Sequence, residues 1–190
     1  MKSSILKLTA VFLVLIASFY ACKKSSNSSS FAGNYVIGSA ILSASLVVPT
    51  TEAGDITVPV GTNITTLIQN SLLSAVTCSS ADKSWVELRS DFSLYLSCQG
   101  SNPLNAGTWE EVSSTELNLN LNSQAIPSSP AGVVLTVSNI VKDQTGLTGQ
   151  TSVPLPKELV AGLLTPLQLT LSQSAPSVFI ASFSVQFTKK

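Results

Sequence analysis

Histidine is absent from all 190 residues. That absence removes Ser–His–acid triads, Cys–His pairs and histidine-ligated zinc from consideration. Charge is scarce as well, at 11 % of residues and split ten against ten. A balance of that kind leaves no basic footprint for nucleic acid and no acidic tail. The three cysteines are too few for a disulfide scaffold, and without histidine they make a poor metal site. Acid pairs for catalysis are equally thin. Glu110 and Glu111 are adjacent, and neighbours on a strand point to opposite faces. Asp82 and Asp91 fall near turns and suit capping, and no lysine is spaced to activate a serine. A non-enzymatic protein without cofactor or metal is the expectation. Hydrophobic residues nevertheless make up 44 % of the chain, which argues against disorder.

The apolar residues concentrate first at the N-terminus. Lys2 and Lys7 precede a nearly unbroken apolar run over 8–21, which stops at Cys22. Fourteen residues are too few to cross a bilayer core of about 30 Å and suit the core of a signal peptide. Cys22-Lys23-Lys24 then leads into a serine-rich stretch that reads as a flexible tether. Removal of 1–21 would leave eight bases against ten acids.

Beyond residue 30, period-2 alternation dominates. Glu116 to Asn122 sets Leu117, Leu119 and Leu121 against three asparagines. Phe92, Leu94 and Leu96 alternate with Ser93, Tyr95 and Ser97, and Leu167, Leu169 and Leu171 with Gln168, Thr170 and Ser172. The last strand places Phe179, Ala181, Phe183, Val185 and Phe187 on one face. Further strands are expected at 34–48, 55–60, 84–89, 107–112, 133–141 and 147–153. Short polar turns such as Arg89-Ser90-Asp91 and 142–146 make neighbouring strands antiparallel, hence a meander. Helical spacing interrupts it twice. Ile64, Leu67, Ile68, Leu72 and Val76 share a face over 62–76, capped by Thr62 or Asn63, and 156–164 starts at Pro156 and ends before Pro166. Both read as covers for the sheet.

The cysteine after a small residue, Ala21-Cys22, resembles the bacterial lipoprotein signal. That resemblance implies cleavage before Cys22, a diacylglyceryl group on its thiol and acylation of the new amine. Two or three chains are needed because one gives only marginal membrane binding. The loose Phe19-Tyr20 and the Cys-Lys-Lys-Ser start are similar to lipoproteins of the Bacteroidetes type. The domains implied are a signal peptide over 1–21, a tether over 22–30 and a single β domain over 31–190. Attachment to the outer membrane follows, and the lack of acidic residues between Cys22 and Glu52 favours its periplasmic face. Cys78 and Cys98 then remain as a pair that an oxidising compartment would bridge, the alternative being two buried free thiols. A bridge would contribute about 3 kcal/mol in the chain-entropy view.

Gly33-Asn34-Tyr35, Cys78, Trp85, Asp91-Phe92, Cys98 and Gly107-Thr108-Trp109 come in an order that resembles the lipocalin-like lipoproteins of that group. The resemblance implies an all-β, antiparallel up-and-down barrel with one or two short helices; a β-sandwich is the alternative. Residues 40–76 exceed what a compact barrel of this type needs. In such a barrel Leu117, Leu119, Leu121, Phe179, Phe183 and Phe187 would line a site for a small hydrophobic molecule. Trp85 and Trp109 would pack in the core or at a barrel end. A leucine-rich inner face suits a filled barrel equally, which would make the protein a structural accessory of the envelope.

Overall fold

The computed structural model describes residues 30–190, apart from 74, 77, 81, 82, 127, 128 and 130, with the backbone alone at 71–73. Cys22 and the segments 1–21 and 22–29 lie outside the described residues.

Eight strands form a closed antiparallel barrel. The first, β1 (Gly33–Leu42), is followed by a side hairpin of β2 (Leu46–Thr50) and β3 (Gly54–Val58), then by helix α1 (Thr65–Leu73). A meander completes the wall with β4 (Ser84–Leu88), β5 (Ser93–Cys98), β6 (Leu104–Ser113), β7 (Glu116–Leu121), β8 (Val133–Lys142) and β9 (Gly146–Pro156). Helix α2 (Lys157–Leu164) and a 3-10 turn (Thr165–Leu167) lead into β10 (Val178–Lys189). Closure falls to β1, which pairs with β10 along most of its length and with β4 through Gly33 to Tyr35. The barrel thus excludes the β-sandwich. Residues 43–83 exceed a strand connection because they hold the hairpin and α1.

Alternation explains each wall strand. Leu117, Leu119 and Leu121 are buried while Asn118 and Asn120 lie on the outer side, and β10 buries Phe179, Ala181, Phe183 and Val185. Bulges interrupt the ladders at Gly38, at Ala106 and near Asn139, increasing local bend where a sheet of eight strands must curl on itself. Gly107 sits beside one of them at φ 135°, where an added Cβ would lie 1.9 Å from the Asn120 carbonyl oxygen. No larger residue fits that close crossing.

The structure corrects several expectations. The apolar stretch 34–48 is two strands, because the chain turns at Ser43 to Ser45 into the hairpin. Leu167 to Ser172 is not a strand. Pro166 sits in the 3-10 turn, Gln168 adopts φ 56°, and the segment contributes only an isolated bridge from Leu171 to Thr50. Phe92 lies in the β4–β5 turn at φ 65°, nearly half exposed, with its ring 5.2 Å from that of Trp109. Gly107 stands inside β6 rather than at its start. Trp85 is on the outer wall under Lys190, whereas Trp109 is buried.

One barrel end is sealed. Phe31 is fully buried ahead of β1, and the Tyr35 hydroxyl donates to its carbonyl at 3.0 Å. Outside it, Glu111 accepts from the Ser30 amide (3.1 Å) and hydroxyl (2.9 Å), and Lys142 donates to the Ser30 carbonyl. Trp109 closes the same end and donates from its indole nitrogen to the Arg89 carbonyl at 3.0 Å. Replacing Phe31 by alanine should cost about 3–5 kcal/mol in a denaturant melt, since a buried aromatic is deleted from a closed seal. A loss below about 1 kcal/mol would show that the segment does not plug the barrel.

Candidate functional site

The inner wall and the sealed end together shape the site. Strand polarity places the long connections at the other end: β1 to β4 with α1, β5 to β6, β7 to β8, and β9 to β10 with α2. Helix α1 is held across that end by β1. Asn63 Oδ1 accepts from the Thr65 amide (2.9 Å), the Thr65 hydroxyl accepts from the Ala40 amide (2.8 Å), and Gln69 donates to the Ile37 carbonyl (2.8 Å). Asn63, not Thr62, thus satisfies the first helical amide, and the helix starts at Thr65 rather than at 62. Leu72 lies among the side chains not described. The Cys78–Cys98 disulfide ties the segment ahead of β4 to the last residue of β5, at the same end. The two cysteines are bridged, not free.

Between the ends lies a cavity of about 820 Å³. Its wall is aliphatic and aromatic, from Ile37, Leu96, Leu135 and Val153 to Phe183 and Val185. Four of the six residues expected to line a site do so: Leu119, Leu121, Phe183 and Phe187. The other two do not. Leu117 and Phe179 are buried, at 1 % and 5 % exposure, but neither borders the cavity. Leu117 stands next to the sealed end, where Glu111 and Val137 flank it, and Phe179 lies at the start of β10 beside Leu155. Packing there already surrounds both side chains.

The floor of the cavity is built from the seal. Phe187, which borders the cavity, meets Tyr35 edge-on with ring centroids 6.4 Å apart. At the mouth the lining turns polar, with Asn70 from α1, Ser129 from the β7–β8 loop, Glu158 from α2 and Ser177 ahead of β10. Sequence reasoning passed over all four, because what brings them together is the barrel end and not any spacing along the chain. Among the described residues, Glu158 is the only ionisable group that lines the cavity. The adjacent Lys157 ammonium turns away and donates to the Ser172 carbonyl at 3.3 Å.

Charge on the wall itself stays outside. The Glu87 carboxylate takes the Ser97 hydroxyl (2.6 Å), the Trp85 indole (3.0 Å) and the Arg89 guanidinium (2.8 Å). Partial burial works against its ionisation, but these donors outweigh that and hold its pKa below the ordinary carboxylate value. Among the described residues, no group of three or more His, Cys, Asp or Glu side chains is placed to hold a metal ion. Among them, too, no helix is long and apolar enough to cross a membrane. Comparison with protein-family models, with curated proteins and with solved structures finds no match.

An apolar cavity of this volume falls within the range of small-molecule sites, about 300–1,000 Å³. The arrangement can enclose an apolar body and meet a polar end at the rim. Among the described residues it offers no paired acid and base inside.

The floor is sensitive to alkali. Burial pushes the Tyr35 phenol above its ordinary pKa, so the folded protein keeps that proton to higher pH than the unfolded chain. The stability this contributes is whole below the unfolded value of about 10 and is lost as pH rises from there through the higher folded value. Tyr35→Phe should therefore flatten the alkaline decline in stability measured by melts from pH 8 to pH 11. An unchanged decline would show that Tyr35 is not titrating in the seal.

Proposed function

We propose that this chain is a carrier or receptor for a small hydrophobic molecule, held in the barrel and tethered to the cell envelope through acyl chains on Cys22. The observation that carries the binding half is the cavity of about 820 Å³ with an aliphatic wall, a sealed floor and a polar mouth. A protein whose role was purely structural would gain from filling that space, because unfilled apolar volume forfeits dispersion contacts on every wall. The chemistry is binding, not turnover, and the ligand is taken up by area removed from water at roughly 25 cal/mol per Å².

Support for the tether comes from the sequence, through the apolar run, Ala21-Cys22 and the serine-rich stretch after it. It agrees with the position of Ser30, which bonds to Glu111 at the sealed end, opposite the mouth. The reading places the protein on the outer membrane, with the periplasmic face favoured over the cell surface, and makes it a member of the lipocalin-like lipoproteins.

Leu119 lines the cavity at the middle of β7. Leu119→Trp should abolish binding of an apolar fluorescent probe while shifting stability by less than about 1 kcal/mol, since the indole enters open space. Overpacking of a filled core would instead cost about 1–3 kcal/mol. That result, with no probe bound by the parent protein, would overturn the binding reading. Separately, Cys22→Ser should yield a chain that is neither acylated nor cut before residue 22. A variant with the parent's mature mass, still in the membrane fraction, would refute the tether.

A further inference from the structure

The mouth and the barrel differ in chemistry in a way that selects among hydrophobic molecules. The geometry points to a single-chain amphiphile, its tail along the barrel axis and its head, uncharged or cationic rather than carboxylate, at the rim beside Glu158. This rests on the binding reading proposed above and deepens it.

Depth fits a tail. Phe187 near the floor and Leu155 near the mouth both line the cavity, and Leu155 pairs with Phe179, eight residues from Phe187 on β10. At about 3.3 Å per residue that is roughly 26 Å of strand, or about 20 Å along the axis for a strand tilted by 35–45°. One lipid tail spans about 15 Å, half of a bilayer core of about 30 Å. The whole tail can be enclosed.

Among the described residues, no charged side chain lines the interior below the rim. Thr151 is the polar side chain facing that space between Val137 and Phe183, but its Oγ1 is buried and has no hydrogen-bond partner among the described residues. It exposes no acceptor to the cavity, so the polar end of a ligand is left to the rim. There Asn70, Ser129 and Ser177 supply neutral donors and acceptors, and Glu158 supplies a negative charge. The nearest positive side chain on the same helix, Lys157, is engaged with the Ser172 carbonyl. A carboxylate or phosphate head would meet the Glu158 charge without a cation among the described lining residues to offset it. An alcohol, amide or ammonium meets an acceptor instead.

Displacement of an apolar dye by hexadecan-1-ol, hexadecylamine and hexadecanoate at pH 7.5 and low salt tests this. The alcohol and the amine should displace the dye about three- to fivefold more effectively than the carboxylate, a size suited to a rim charge open to solvent. The difference should shrink as salt is raised. Glu158→Gln, shown by a melt to be folded, should bring hexadecanoate level with the alcohol. Hexadecanoate binding as well as the alcohol in the parent, or a Glu158→Gln change that moves all three alike, would overturn the assignment. So would a dye that binds but yields to none of the three, although the binding reading would then stand. Failure of the dye to bind at all would remove the binding reading, and this inference with it.

Discussion

Everything in this fold depends on one strand serving two neighbours. β1 bonds to β10 on one side and to β4 on the other. A sheet closed this way leaves no strand without two neighbours, and where β1 runs past β4 its Ala40 amide and Ile37 carbonyl bond to Thr65 and Gln69 of α1 instead. It also divides space, since side chains alternate between solvent and an enclosed interior with no third option. The hairpin, both helices and the disulfide attach to this ring without interrupting it.

The two ends then diverge because their connections differ in length. At the sealed end the turns are short, and Phe31 folds inward so that it, Tyr35 and Trp109 fill the opening. Their polar atoms are satisfied there, by the Phe31 carbonyl for Tyr35 and the Arg89 carbonyl for Trp109. A seal of that kind adds no unpaired polar group to the interior. At the other end the connections are long enough to carry α1, α2 and the β7–β8 loop, which border the opening without filling it. The cavity is the residue of that asymmetry.

Much of the wall was legible from alternation alone. Leu117 to Leu121 and Phe179 to Phe187 announce two-faced strands, and the short turn at 142–146 makes β8 and β9 antiparallel neighbours. Closed ring against stacked sheets was not legible, because strand faces look the same in both. Nor does the sequence distinguish Leu117, packed at the sealed end, from Leu119 two residues on, which borders open space. The segment from Leu167 to Leu171 alternates like a strand and is not one, since Pro166 and the left-handed Gln168 deny it a ladder. Phe92 shows the same limit in a turn, where the geometry beside Asp91 turns its ring outward onto Trp109. Glu158 carried no signal beyond an acid in the first turn of a helix, and its importance comes from where the β9–β10 connection sets that helix.

The central claim is that the interior is hollow and apolar. Diffraction from crystals held under xenon pressure tests it most directly, because a dry aliphatic cavity takes up xenon where a packed core does not. The account predicts xenon density inside the barrel, bordered by Leu96, Leu121 and Phe183, with the surrounding wall unmoved. An interior in which those side chains meet one another and no xenon enters would contradict it.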